Sequence, residues 1–129
     1  MVFGTGPAHV ENPILYKGKV IVFAPGQILF RHFPGVWGKC PPWAFPCQNY
    51  RTELAWLYQF NLEKNLGVTK LQSVELVPIR HNHVRMNKAA IWDSRWLRSV
   101  LNEMVSQIPY SVRILHDKVT LKYFLDIDN

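Results

Sequence analysis

Leu62-Glu63-Lys64-Asn65-Leu66-Gly67-Val68-Thr69-Lys70-Leu71 is the stretch whose reading decides the fold. Upstream of its end, Thr52 to Leu66 places Leu54, Leu57, Tyr58, Leu62 and Leu66 three or four residues apart, and Trp56 and Phe60 widen the apolar side. That spacing predicts an amphipathic helix. Asn49 would cap it, Glu53 would lie near its positive end, and Lys64 would suit its last turn. Downstream, Ser73-Val74-Glu75-Leu76-Val77 alternates as a strand does, and the strand extends to Arg80 with Pro78 near its end. Gly67 then closes the helix, because glycine enters the left-handed conformation without a Cβ penalty.

Working outward, residues 1–16 hold Gly4, Gly6, Pro7 and Pro13 and suggest an irregular arm. Lys17 to Ala24, centred on Val20-Ile21-Val22-Phe23, predicts a first strand buried on both faces. Pro25-Gly26 ends it. Residues 25–50 then interleave Phe30, Phe33, Trp37, Trp43 and Phe45 with Pro and Gly, and fit neither period. So long a loop in a small domain is usually functional or ordered by a partner. Val84–Met86 or Ala89–Trp92 offers a third strand. Asp93 or Ser94 caps a second helix whose stripe runs from Trp96 through Leu97, Val100, Leu101, Met104 and Val105 to Ile108, where Pro109 stops it. Trp92 and Trp96 would pack into the core. Ser111–Leu115 and Val119–Leu125 form a closing hairpin around His116-Asp117-Lys118.

This order predicts a single α+β domain over residues 1–129. It would be a two-layer sandwich, ferredoxin-like or related, with two helices on one face of a small, mostly antiparallel sheet. The chain has 48% hydrophobic and 19% charged residues, a globular balance.

The net charge of +6 and a pI near 9.6 favour phosphate-bearing partners. The basic residues are unevenly spread. Asn12 to Thr52 contains Lys17, Lys19, Arg31, Lys39 and Arg51 and no acid. Leu76 to Trp92 contains Arg80, Arg85 and Lys88, with His81 and His83, and again no acid. Such segments are either solvated surface or faces turned to an anion. In the second reading all of these Lys and Arg residues, with His83, contact phosphate or base edges. Phe33, Trp37, Trp43 and Phe45 would either stack on unpaired bases or fill a groove of a protein partner.

Catalytic and metal chemistry find little purchase. His81 and His83 could share one side of an extended segment, but no third and fourth ligand stands at a recognisable distance. Cys40 and Cys47 are separated by a Pro-rich spacer, and two unpaired thiols in a reducing compartment is the default reading. No carboxylate pair stands out for acid–base work, and phosphate loops and dinucleotide turns are absent from the sequence. The expectation is therefore no enzyme, no cofactor, no metal and no small-molecule substrate. No uncharged apolar run is long enough to span a bilayer, and neither a secretory signal nor a transit peptide is visible, so no membrane insertion is expected.

The segment Leu62 to Leu71, followed by Val74-Glu75-Leu76, resembles the helix-to-strand turn of the large-subunit ribosomal protein thirty family. Val20 to Phe23 would match that family's first strand, and Met86-Asn87-Lys88 would fall near its second helix. The resemblance implies a structural constituent of a ribosome, binding rRNA and neighbouring ribosomal proteins, with Arg31, Lys39, Arg51 and Lys70 facing the RNA. The long loop and the terminal hairpin are accretions of an organellar type. They imply a mitochondrial large subunit, with the cytoplasm as the other location. The alternatives are a non-catalytic assembly subunit of an organellar complex and a small Cys/His enzyme.

Overall fold

The computed structural model describes residues 1–4, 10–26, 51, 53–81 and 85–128. The loop aromatics Phe33, Trp37, Trp43 and Phe45, the basic residues Arg31 and Lys39, His83 and both cysteines lie outside the described residues.

Residues Leu54–Asn65, expected to be helical, form a strand instead. With Val68–His81 it makes a long antiparallel hairpin that pairs Leu54 with Arg80 at its base and Asn65 with Val68 at its tip. The two-residue turn is Leu66-Gly67, with φ of 47° and 82°. Two successive left-handed residues are the signature of a type I′ turn, whose twist matches the flanking strands. A helix C-terminus would need only one of them. The same turn recurs at Lys17-Gly18 (φ 47° and 69°) between two shorter strands.

Eight strands and one helix follow in chain order among the described residues: β1 Val2–Phe3, β2 Ile14–Tyr16, β3 Lys19–Val22, β4 Leu54–Asn65, β5 Val68–His81, β6 Met86–Lys88, α1 Ile91–Met104, β7 Ile114–Asp117 and β8 Lys122–Leu125. One sheet has the order β1-β3-β2, with β1 and β3 parallel. The other has the order β4-β5-β8-β7, with β6 added to the end of β5. The ferredoxin-like expectation of two helices on one sheet is thus replaced by a mostly β architecture with one helix. The first strand is not buried on both faces either, for Val20 and Val22 are buried while Phe23 is exposed.

Backbone hydrogen bonds join the two sheets at two seams. Ser111 bridges Ile14, Leu15 N donates to Tyr110 O at 2.8 Å, and Val112 N donates to Pro13 O at 3.0 Å. At the second seam Trp56 N donates to Pro25 O at 2.9 Å. Gly26 makes that approach feasible: with φ of 87°, a Cβ there would lie 2.9 Å from Ala55 Cα and from Leu54 O. The hydrogen-bonded path therefore runs from β4 through β5 and β8 to β7, passes from the segment just before β7 to β2 and β3, and returns to β4 from the segment just after β3.

The core fills this circuit. Val20 and Val22 from the first sheet meet Leu54, Trp56, Val74, Leu76, Ile114, Tyr123 and Leu125 from the second and Leu97 and Leu101 from α1. Trp56 is fully buried and packs against Tyr123 at a centroid distance of 5.4 Å. Burial of so large an apolar side chain stabilises by about 1.5–3 kcal/mol. Asn102 fastens α1 to β7 by treating Ile114 as a strand neighbour would: its Nδ2 donates to Ile114 O (2.9 Å) and its Oδ1 accepts from Ile114 N (2.8 Å). The helix begins earlier than the sequence suggests. Its N-cap, Ala90, provides no side-chain bond, and Ser94 turns back to Ala90 O through both its N–H and its Oγ.

Candidate functional site

The second acid-free segment ends at Asp93, and the first ends at Glu53. Both acids converge on Arg51. Its Nη2 donates to Asp93 Oδ1 at 2.7 Å and its Nε donates to Glu53 Oε1 at 2.8 Å. Arg80, from β5, donates through Nη1 to the other oxygen of Asp93 at 3.1 Å. A single carboxylate in the first turn of α1 thus bridges two guanidinium groups from the two strand-side segments. The Asp93 side chain is only 3% exposed, whereas that of Arg80 is 53% exposed. Trp96, one turn further along α1, lies under the Arg51 guanidinium at 5.1 Å from the ring centroid.

Each placement follows from local structure. Asp93 lies in the first turn of α1, where the helix dipole favours an anion. Asp93 and Trp96 are three residues apart and share one helix face. Arg51 has a left-handed backbone, with φ of 32°, a strained conformation for a side-chain-bearing residue. Three side-chain contacts from Glu53, Asp93 and Trp96 hold it there. Burial disfavours the charged Arg51 guanidinium, but its hydrogen bonds to Asp93 and Glu53 and their negative charge outweigh that and raise its pKa above the ordinary value.

The arrangement places two guanidinium donors around one buried carboxylate. Asp93 is satisfied by two cations, which leaves the exposed part of Arg80 to present N–H donors to an oxygen acceptor. Lys88 pairs with Ile79 beside it, and Arg85 lies just before β6. Trp92, which precedes Asp93 and was expected in the core, is 70% exposed.

The remaining basic residues singled out from the sequence are spread over other elements. Lys17 is in the β2–β3 turn, 5.3 Å from the centre of the Tyr16 ring, and Lys19 begins β3. Lys70 lies opposite Glu63 on the outer half of the long hairpin. The structure thus brings together Arg51 and Arg80 and leaves Lys17, Lys19 and Lys70 elsewhere. Sequence reasoning missed the part played by Asp93, which it took for a cap. The signal was that Glu53 and Asp93 are the first acids after the two basic stretches. Among the described residues, no group of three His, Cys, Asp or Glu side chains is placed to hold a metal ion. No helix among them is long and apolar enough to cross a membrane.

No protein-family model matches the chain. No solved structure matches it either. The ribosomal resemblance does not survive: the helix-to-strand turn on which it rests is the tip of a β-hairpin, and the detectable sequence relatives have no ribosomal name. The role in a mitochondrial large ribosomal subunit falls with it. Each relative found is matched over 104 residues, which make up 81% of this chain and 24% of the relative, so the chain spans about a quarter of their length. At 26% identity over that stretch, the chain is similar to proteins named "probable polyglutamine synthesis accessory protein" from two strains of Mycobacterium tuberculosis, CDC 1551 / Oshkosh and ATCC 25618 / H37Rv.

Proposed function

We propose that this chain is a non-catalytic module of a polyglutamine synthesis accessory protein, and that its arginine centre engages the polymer. The observation that carries this reading is the similarity across 81% of the chain to proteins of that name. The geometry supports it. A polyglutamine chain presents carbonyl oxygens from both backbone and side chains, and arginine is the side chain best equipped to donate to them. Arg80 is held in place by Asp93 yet more than half exposed, so its donors are pre-oriented at little entropic cost. Exposed Trp92, next to Asp93, adds an apolar surface for the methylene groups of glutamine side chains.

The test is calorimetric titration of the chain with a synthetic glutamine oligomer, with glutamate and alanine oligomers of equal length as comparisons. Saturable binding of the glutamine oligomer is expected, with affinity lowered about tenfold in Arg80→Ala, because a hydrogen bond to a charged group contributes about 1.5–3 kcal/mol. Absence of binding, or equal binding of all three oligomers, would overturn the reading. The oligomer should be recovered at its original length. Shortening or extension would show that the module is an enzyme.

A further inference from the structure

Past Ser73 the hairpin of β4 and β5 has no third strand among the described residues, because β8 meets β5 only at Glu75 and Leu76. A ribbon of two strands is marginally stable in water and gains from a further strand on its edge. β4 offers that edge. It is the outermost strand of its sheet, and among the described residues its outer side has one backbone partner, Pro25 O at Trp56 N. Backbone groups of successive residues in an antiparallel strand point to alternate sides. The N–H and C=O of Phe60, Leu62 and Lys64, like those of Trp56, therefore face away from β5. The other end of the hairpin gives the same parity: Asn65 and Val68 close the two-residue turn, so Asn65, Glu63 and Asn61 bond toward β5. Edges of this kind are commonly guarded by a proline or a bulge. β4 contains no proline, and the extra residue of the bulge, Gln72, lies on β5.

The residues along this edge complement a second copy of themselves. Two β4 strands set antiparallel about a two-fold axis at Leu62 keep the same face on the same side. On the core-side face Leu71 and Leu62, which are paired across the hairpin, then meet the partner's Leu62 and Leu71, one rung of four leucines. Leu62 is 59% exposed in the single chain. Phe60 receives the partner's Lys64 over its ring. On the other face Asn61, whose Nδ2 donates to Ser73 Oγ at 2.8 Å, keeps a second N–H for the partner's Glu63. From Phe60 to Lys64 no like charges oppose each other in this register, whereas one centred on Glu63 would set two carboxylates face to face. We propose that the free edge of β4 pairs antiparallel with the same edge of a second copy, centred on Leu62. The product is a four-stranded ribbon with one β circuit at each end. This inference uses neither the arginine centre nor the polymer reading.

So short a pairing makes a weak dimer. Sedimentation velocity of the full chain is therefore run from low micromolar to near-millimolar concentration, with amide exchange read at both ends of the range. A monomer–dimer equilibrium is expected. The amides of Phe60, Leu62 and Lys64 should become slow only at high concentration, while those of Gln59, Asn61 and Glu63 are slow throughout. Leu62→Lys sets two ammonium groups opposite each other and should abolish the dimer. Leu62→Pro removes an outward N–H, spares the ladder to β5, and should do the same. Slow exchange at Leu76 and Tyr123 in both variants shows that the core is folded. Val119→Lys, at an exposed apolar residue away from the hairpin, should leave the dimer intact. A monomer at every concentration, a dimer that survives Leu62→Lys, or growth beyond the dimer would overturn the proposal. Protection of the same amides only on adding a glutamine oligomer would also overturn it, giving the edge to an extended peptide instead.

Discussion

Arg51 and Asp93 are 42 residues apart in sequence and 2.7 Å apart in space. Their contact, with the 3.1 Å bond from Arg80 to the same carboxylate, ties the start of β4, the end of β5 and the first turn of α1 at one point. Removing Asp93 leaves two guanidinium groups facing each other. Breaking a fully buried pair costs about 3–5 kcal/mol, but both arginines here keep contact with water, so Asp93→Ala should destabilise by about 2–3 kcal/mol. Arg80→Ala, at the exposed end of the bridge, should cost at most about 1 kcal/mol. Urea denaturation of the two variants checks the ranking.

Gly26 and Gly67 both have positive φ, yet their substitutions should differ. At Gly67 a Cβ would meet nothing within 4 Å, so Gly67→Ala carries only the conformational cost of about 1–2 kcal/mol. At Gly26 the added carbon would press on Ala55 Cα and Leu54 O at 2.9 Å, and backbone cannot yield as a side chain can. Gly26→Ala should therefore cost about 1–3 kcal/mol more than Gly67→Ala, the range for overpacking. Thermal unfolding measured side by side gives the comparison.

Leu66 is 98% exposed and adopts a left-handed backbone that leucine disfavours. Asn-Gly is the preferred pair for this turn. Leu66→Asn should stabilise the hairpin by roughly 0.5–1 kcal/mol, with slower amide exchange at Val68 and Asn65. A loss of stability would mean that the tip leucine packs on something.

Tyr58 titrates against the fold. Burial of its hydroxyl, which has no hydrogen-bond partner, pushes its pKa well above the usual tyrosine value. The unfolded chain then loses its proton first as pH rises. Stability should be constant below pH about 10 and fall above it until the folded phenol ionises. Tyr58→Phe should remove this contribution to the alkaline fall. At neutral pH it should gain about 1 kcal/mol by deleting an unpaired buried polar group. Asp117 has the opposite sign. Thr120 Oγ1 and Val119 N bond its carboxylate and lower its pKa, so its contribution is present above the usual aspartate range and is lost on acidification through the lowered value. Guanidinium unfolding at a series of pH values reads both limbs.

What could be read in the sequence depended on how evenly each pattern ran. The stripe from Trp96 to Ile108 marked α1, though the structure starts the helix at Ile91 and ends it at Met104, because Asp93 is an ion-pair partner within the first turn rather than a cap. The closing hairpin was legible too, with its turn displaced to the residues between Asp117 and Lys122. β4 was misread because two periods coincide in it. Leu54, Leu57, Tyr58 and Leu62 satisfy a helix, while Leu54, Trp56, Tyr58 and Phe60 satisfy a strand. Burial settles between them: the strand passes from Leu54, Ala55 and Trp56 in the core to exposed residues beyond Phe60 as the hairpin leaves the domain. A one-faced period fades along such an element. At the arginine centre the cations were legible, but their shared counter-ion depends on a tertiary approach that no spacing encodes. Asn12, whose Nδ2 donates to Leu101 O at 2.8 Å, carried no signal either, because that bond depends on which carbonyl of α1 the fold brings to it.

The seam at Pro25 and Gly26 also governs how much sequence the fold can accept. Gly26 lies against Leu54 and Ala55, and Arg51 O accepts a hydrogen bond from Leu54 N at 3.0 Å, so the described residues on either side of positions 27–50 meet at one place in the circuit. With the two ends already held together, lengthening the connection changes closure entropy slowly, by about 0.6 kcal/mol for each doubling. The seam is thus a port at which sequence can be exchanged while the β circuit and its core are inherited unchanged.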